Sequence, residues 1–289
     1  MQNGTIEIAG AIVFWNVAAE TDRNKLVTEL TAIGQEQHLP GVRTAFAAAK
    51  QACLKKFRGD GFRIDKLKDG NGVTVERVER GELDNTYSQV AYMLVDDENN
   101  LVEVCRVVDP SIGNPAQIES ELIDAFQVEL GLCAANAVGL ALARAVEAHS
   151  GYRLRPTGGV YFLPNFESEA FEKIAKVFEA CGARGETMVH RMEVAKGDQT
   201  IRAVHSTIRE QINERIAEMR EELASGDLKK AGRRNRTEEL TAMIDRVSKY
   251  ENLLDQSLAE VRKDLDDVRV QMSMEQVSSA GSLFAGLSL

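Results

Sequence analysis

A run of apolar residues at a seven-residue spacing, from Thr237 to about Met272, constrains this chain more than any other stretch. One position of the repeat carries Leu240, Val247, Leu254, Val261 and Val268, and the other carries Ile244, Glu251, Leu258, Leu265 and Met272. A narrow apolar stripe flanked by charge is typical of a helix that buries one face against another helix. Only Glu251 departs from the pattern, so the repeat predicts one continuous helix.

A second striped segment precedes this run. Its apolar residues recur about every 3.7 residues and are Ile201, Val204, Ile208, Ile212, Ile216, Met219 and Leu223. We expect the two helices to fold back as an antiparallel hairpin, a coiled coil over residues 198–275. At 1.5 Å per residue the first helix is about 36 Å long and the second about 50 Å.

The longer helix of this hairpin is expected to overhang the shorter one. Its surplus apolar positions, called the interface seam below, are Leu254, Leu258, Val261, Leu265 and Val268. Apolar surface of this kind needs cover from the globular body or from a second copy of the chain. The pattern therefore predicts a homo-oligomer or a protein partner.

Between residues 62 and 108 the apolar spacing becomes alternating, as in half-buried strands. Asn71–Gly72 is a strong hairpin signal, and four consecutive strands predict an antiparallel meander. A long helix from Pro115 to His149, rich in alanine, is expected to cover one face of this sheet. The predicted fold class is α+β, with a globular body over residues 1–197, the helical hairpin, and a flexible apolar tail over residues 276–289.

Composition narrows the classes of function. The chain has 289 residues, of which 44% are apolar, and no stretch long and apolar enough for a membrane span. A net charge of -10 disfavours general binding to nucleic acid. The four cysteines are isolated, which indicates reduced, buried thiols in a cytoplasmic protein. The four histidines match no metal or hydrolase motif, so no metal, no cofactor and no catalytic residue is predicted.

One cluster of positive charge stands out in this acidic chain. Its members, called the basic tip below, are Lys229, Lys230, Arg233, Arg234 and Arg236. The cluster suits an anion, a nucleic acid or an acidic partner. It also suits a solvated turn whose cations complement the carboxyl end of the preceding helix.

The segment Gly158–Pro164, Gly-Gly-Val-Tyr-Phe-Leu-Pro, is followed by an amphipathic helix and then by the long striped region. This order resembles an uncharacterised family of proteins from bacteria and their phages. The resemblance implies a bacterial or phage source and carries no activity.

These observations favour a non-enzymatic scaffold or adaptor that acts through coiled-coil self-association or partner binding. The alternative is a nucleic-acid-associated accessory protein that uses the basic tip. An enzyme whose site the sequence does not identify is the third hypothesis.

Overall fold

A computed structural model describes residues 6–59, 61–68, 70–81, 84–155, 158–225 and 230–285, with side chains described except at residues 230 and 275–285. The strands are β1 (Ile8–Asn16), β2 (Thr21–Asp22), β3 (Phe62–Lys66), β4 (Gly72–Arg80), β5 (Asn85–Asp96), β6 (Leu101–Val107), β7 (Leu132–Cys133), β8 (Tyr152–Arg153), β9 (Tyr161–Pro164) and β10 (Met188–Ala195). The helices are α1 (Arg23–Ala32), α2 (Ala45–Lys56), α3 (Pro115–Leu130), α4 (Ala135–Ala148), α5 (Ser168–Cys181), α6 (Asp198–Ser225), α7 (Lys230–Leu254) and α8 (Ala259–Ala285). The predicted α+β class is confirmed.

The chain divides into two compact units, each assembled from separate segments. The meander unit comprises Trp15–Arg144 and Lys173–Met188. The bundle unit comprises Met1–Phe14, Ala145–Glu172 and Val189–Leu289. Among the helices that the structure describes, none combines the length and the apolar character of a membrane span.

The meander unit contains the four predicted strands as one antiparallel sheet in the order β3-β4-β5-β6. The Asn71–Gly72 turn is held by the carbonyl groups of both residues. Val95 N donates to Asn71 O at 3.0 Å, and Leu67 N donates to Gly72 O at 3.0 Å. Each neighbouring pair is a hairpin with a short loop, so the meander predicted from alternating apolar residues is confirmed.

Helices α2 and α3 cover one face of this sheet. Val73, Val75 and Met93 are fully buried beneath them, together with Leu122 and Phe126 of α3. The first turn of α2 is capped by Thr44, whose Oγ1 accepts from Ala47 N at 3.2 Å. The cover is therefore a pair of helices, rather than the one long helix expected over residues 115–149.

That long helix is interrupted at Gly131. The carbonyl of Gly131 accepts from Arg23 N at 3.0 Å, and the next two residues form β7, which pairs with β2. These long-range bonds take the chain out of helical geometry before α4 starts. The alanine-rich half of the predicted helix is thus a separate element.

The bundle unit has a four-stranded sheet in the order β10-β1-β9-β8. Tyr250 of α7 attaches the helices to this sheet. Its hydroxyl donates to Ser150 O at 2.7 Å, and its ring meets Tyr152 edge-on with centroids 5.3 Å apart. Tyr250 is fully buried, so the contact combines aromatic packing with a satisfied hydrogen bond.

The C-terminal region consists of three helices where the sequence predicted two. The expected continuous helix over residues 237–272 breaks between α7 and α8, where Asp255 has φ +52°. Glu251, the residue that departs from the apolar repeat, stabilises this break. Its Oε1 accepts from Leu258 N at 2.7 Å, at the start of α8, and its Oε2 pairs with Arg262.

The break also changes the phase of the apolar pattern. In α7 the fully or nearly buried positions are Leu240, Met243, Val247, Tyr250 and Leu254. In α8 they are Leu258, Val261, Leu265, Val268 and Met272. The second position of the repeat is therefore 243 and 250 in α7, in place of the predicted 244 and 251. The turn between α7 and α8 therefore contains one residue more than the seven-residue repeat requires.

The interface seam is buried inside the chain's own bundle. All five of its side chains are at most 3% exposed, packed with residues of α6 and α7. The three helices have 28, 25 and 27 residues, so they are similar in length. The expectation of a surplus seam was wrong because the turn at Asp255 divides the long helix into two that match α6.

The segment predicted as a tail begins inside a helix. Helix α8 continues to Ala285, so most of residues 276–289 are helical, and residues 286–289 lie outside the described part. No proline separates Met272 from this segment, so nothing in the local sequence terminates the helix there.

Candidate partner-binding face

The sheet of the meander unit has a second face, opposite α2 and α3. Side chains of a strand alternate between faces, and the buried Val73 and Val75 flank Thr74, which therefore points the other way. Thr74 pairs with Asp65 of β3 and with Tyr92 of β5. These three residues define a row across the sheet on its outer side.

A β-bulge in β5 brings two tyrosines onto this outer side. Val75 pairs with Ala91, whereas Glu76 pairs with Gln89, so Val90 is the extra residue. Strict alternation would put Tyr87 and Tyr92, five positions apart, on opposite faces. With the extra residue both share one face, and Tyr87 is 45% exposed.

The two rings lie well apart along the sheet. Tyr87 pairs with Val78 and Tyr92 with Thr74, four residues earlier on β4. At about 3.3 Å per residue the rings are separated by about 13 Å along the strand. The guanidinium carbon of Arg63 lies 5.2 Å from the centroid of the Tyr87 ring, which holds that ring by a cation–π contact.

This outer side forms an open depression of about 1100 Å³, called the open face below. Its lining mixes aromatic, aliphatic, charged and amide side chains: Arg63, Asp65, Lys66, Leu67, Lys68, Thr74, Glu76, Tyr87, Gln89, Tyr92 and Leu94. The polar groups are partly organised among themselves, since Gln89 Nε2 donates to Thr74 Oγ1 at 2.9 Å. Arg63 also pairs with Asp65.

The cations of the open face are concentrated at one side. Arg63 and Lys68 lie on β3 and the turn that follows it, whereas the tyrosines lie on β5. Lys66 pairs with the inward-facing Val73, and its Nζ lies 5.9 Å from the ring centroid of Phe46 on α2, so its side chain points to the covered side of the sheet. Arg63 and Lys68 are exposed. Asp65 and Glu76 line the same depression, so the charges of its described outward-facing residues balance.

Arg236 of the basic tip is held in the bundle by ion pairs with carboxylates of α6 and α7. Arg236 donates to Glu222 Oε2 at 2.6 Å and Oε1 at 2.8 Å, and to Glu239 Oε2 at 2.7 Å. Arg215 donates to the same Glu239 at 2.6 Å. These bonds join α6 to α7 in antiparallel order. The hydrogen bond from Arg236 holds the pKa of Glu222 below its usual value.

The other members of the basic tip are placed differently. Arg234 is exposed and pairs with Glu238, four residues on, at 2.9 Å. Arg233 is half-buried and makes contacts of its own. Lys230 begins α7, with its side chain not described, and Lys229 lies outside the described residues.

A buried carboxylate forms a second charged cluster in the meander unit. Glu129 of α3 is 2% exposed and pairs with Arg43 and with Lys55, whose Nζ lies 2.5 Å from Oε1. Lys55 also contacts Glu20 at 2.6 Å. Burial would lower the pKa of Lys55, but its bonds to Glu129 and Glu20 outweigh burial and raise it. The cluster ties α2 and α3 to the segment after β1.

The four thiols are reduced and buried, as the sequence predicted. Burial raises the pKa of Cys53 to about 12 and the pKa values of Cys105 and Cys181 to about 11. A protonated, buried thiol is a poor nucleophile. In the ranges that the structure describes, no three His, Cys, Asp or Glu side chains form a metal-binding group.

The open face was missed by sequence reasoning. The signal was present in Tyr87 and Tyr92 of the third predicted strand, with Arg63 on the first. Alternation in the sequence separates the two tyrosines onto different faces, and only the bulge at Val90 reunites them. Bulge positions depend on long-range pairing, so the sequence pattern did not reveal them.

The fold and the open face define an α+β protein with a one-sided antiparallel meander and a helical bundle. The chain belongs to a family of unknown function, DUF6744, whose model matches residues 10–282. The predicted resemblance to an uncharacterised family is thus confirmed. No curated protein matches the chain. No solved structure matches it either.

Proposed function

We propose that this protein is a non-enzymatic adaptor of the bacterial or phage cytoplasm that engages its partner through the open face. The observation that carries the proposal is the one-sided meander: α2 and α3 bury one face, and the other presents two tyrosines in an open depression. A large exposed surface with aromatic side chains is typical of binding sites.

The chemistry of this face favours binding over catalysis. Among the described residues, its lining contains no cysteine, serine or histidine, and one of the two carboxylates there, Asp65, is paired with Arg63. An open depression also leaves water in contact with any bound reactant, whereas catalytic sites usually exclude it. The buried thiols offer no alternative nucleophile.

The packing of the bundle favours this proposal over self-association through the interface seam. Because the interface seam is covered within the chain, self-association is not needed to bury it. The proposed partner is therefore a different molecule.

The test is photo-crosslinking in the cells that produce the protein. A photoreactive phenylalanine analogue is placed at the position of Tyr87, or, as a control, at that of the exposed Lys50 on α2. We expect a discrete adduct from position 87, lost when Tyr92→Ala is added, and none from position 50. Absence of an adduct at 87, or equal adducts at both positions, would overturn the proposal.

A further inference from the structure

We propose that the open face receives an extended segment of a partner protein, which adds as a further strand beside residues 85–89 of β5, in line with β6. This inference rests on the proposed function, because it states what kind of partner binds there. The backbone of residues 85–89, on the side that faces away from β4, is called the open edge below.

The open edge exists because β5 extends beyond β6. Strand β6 pairs with β5 only from Ala91 onward. Val108 N and Asp109 N then both donate to Val90 O, at 2.8 and 3.2 Å, and the chain leaves the sheet. In the part of the chain that the structure describes, no strand pairs with residues 85–89 on this side, and all five residues are exposed.

The backbone groups at the open edge belong to alternate residues. Gly81 N donates to Asp84 O at 3.1 Å, which makes these two a hydrogen-bonded pair. Bonded and non-bonded pairs alternate along an antiparallel ladder. The register therefore places Asn85, Tyr87 and Gln89 in non-bonded pairs with β4. Their N–H and C=O groups face the open edge, with successive residues about 6.8 Å apart.

The open edge also differs in sequence from the other edges of the described sheets. Natural edge strands commonly carry charged side chains, which discourage the addition of another strand. Strands β3, β6 and β10 follow this rule, with Arg63, Asp65, Lys66, Glu103, Arg106, Arg191 and Glu193. Residues 85–89 read Asn-Thr-Tyr-Ser-Gln, without a charge or a proline. The side chains of this edge therefore do not oppose strand addition.

The row of backbone groups selects a polypeptide as the occupant. An added strand supplies a donor and an acceptor at every second residue, in the spacing that the open edge presents. A phosphate accepts hydrogen bonds but donates none, so nucleic acid would leave the carbonyl groups of the edge without donors. The balanced charges of the open face likewise favour neither an anion nor a cation.

The two sides of the added strand meet different side chains. A residue opposite Tyr87 lies against the exposed ring on the open face, where a β-branched side chain forms a stabilising cross-strand pair. Thr86 and Ser88 point to the other side of the sheet and suit short polar neighbours. The partner segment is therefore about five residues long, with β-branched residues alternating with threonine or serine.

The binding test uses the full-length chain and a fluorescein-labelled, amidated peptide, Lys-Val-Thr-Val-Thr-Val-Lys. A second peptide carries N-methyl groups on the central valine and on one adjacent threonine. It keeps each side chain but removes one N–H from each edge of the peptide. Fluorescence anisotropy should show saturable binding of the first peptide and at least about tenfold weaker binding of the second.

Two substitutions at Gln89 separate the backbone from the side chain. Gln89→Pro removes an N–H that faces the open edge, and the ladder with β4 does not use that N–H. Gln89→Ala is the matched control, because it removes the side chain and keeps the N–H. Gln89→Pro should bind the peptide about threefold to tenfold more weakly than Gln89→Ala. Circular dichroism confirms that both variants are folded.

Amide hydrogen exchange of the parent chain locates the peptide without any substitution. The peptide should slow exchange at the N–H groups of Asn85, Tyr87 and Gln89. Thr86 and Ser88 already bond to β4, so their exchange should change little. This alternating pattern is specific to an added strand and would be absent from a ligand held only by side chains.

The outcomes separate the two proposals. No saturable binding at millimolar peptide, equal binding of the methylated peptide, or equal affinities of Gln89→Pro and Gln89→Ala would overturn the strand inference. A dimer in light scattering that Gln89→Pro converts to a monomer would overturn it in favour of a second copy of the chain.

The crosslink at position 87 connects the inference to the adaptor proposal. If the adduct is a protein, and is lost with Gln89→Pro but kept with Gln89→Ala, both proposals are supported. If the adduct persists in both variants, the adaptor proposal stands and the strand inference fails.

Discussion

Replacing Leu265 with alanine tests whether the apolar seam belongs to one chain or joins two. Leu265 is fully buried among residues of all three bundle helices, and the substitution removes three heavy atoms from that site. Loss of transfer free energy and a residual cavity should lower the free energy of unfolding by about 3 to 4 kcal/mol. Alanine is preferred to aspartate because a buried charge would unfold either kind of assembly.

The matched control is Val270→Ala on the same helix. Val270 is 49% exposed, so the same class of truncation should change stability by less than about 0.5 kcal/mol. Urea unfolding of both variants and the parent chain, followed by circular dichroism, gives the differences.

Protein concentration decides between the two explanations of the seam. An intrachain seam gives an unfolding midpoint that does not change with concentration. An interchain seam would stabilise the fold by about 1.4 kcal/mol for each tenfold increase in concentration. A concentration-dependent midpoint, or a fall in mass from dimer to monomer with Leu265→Ala, would refute the assignment of the seam to the bundle.

Three further predictions follow from the same structure. Tyr250→Phe should lower the free energy of unfolding by about 1 to 2 kcal/mol, because the buried carbonyl of Ser150 loses its donor; an unchanged urea midpoint would show that water replaces the hydroxyl. Arg236→Gln should lower stability at neutral pH. The folded pKa values of Glu222 and Glu239 lie below the ordinary 4.5, so the carboxylates contribute above that value and lose their contribution as the pH falls through the folded pKa. The gap in unfolding free energy between the parent and Arg236→Gln should therefore close in acid, and a gap that widens below pH 4.5 would contradict this account. Finally, the four thiols should resist a disulfide reagent in the native protein and all react in denaturant, since burial raises their pKa values; rapid native labelling of Cys53 would be inconsistent with this environment.

The sequence predicted the elements whose signals are local. The turn at Asn71–Gly72 and the alternating residues on either side of it specify a hairpin without reference to the rest of the chain. The same holds for the apolar stripe of α6. These features depend on neighbouring residues, and the structure contains them.

The breaks in the long helices were not predicted because they depend on distant partners. Helix α3 ends at Gly131, whose carbonyl accepts a hydrogen bond from the backbone N–H of Arg23, more than a hundred residues earlier. At the second break, Met243 and Ile244 are both apolar, so either fits the repeat, and the shift of phase is invisible in the pattern. Glu251 was the one visible signal, as an irregularity without an assigned partner.

The candidate site depends on the same kind of long-range information. The basic tip was conspicuous in the sequence because its charges are adjacent, yet Arg236 is engaged by carboxylates of two helices. Arg63 is more than twenty residues from either tyrosine of the open face. Only the pairing of β3, β4 and β5 assembles them.

The β-bulge at Val90 has a consequence for how this protein can change over evolutionary time. On either side of the bulge, the side chains of β5 point alternately into the core and toward the open face. Tyr92 can therefore be replaced while the buried Ala91 and Met93 keep the sheet packed on α2 and α3. Surface substitutions of this kind usually cost less than about 0.5 kcal/mol. A substitution at Tyr92 is therefore expected to alter the open face while the buried side of the sheet keeps its packing.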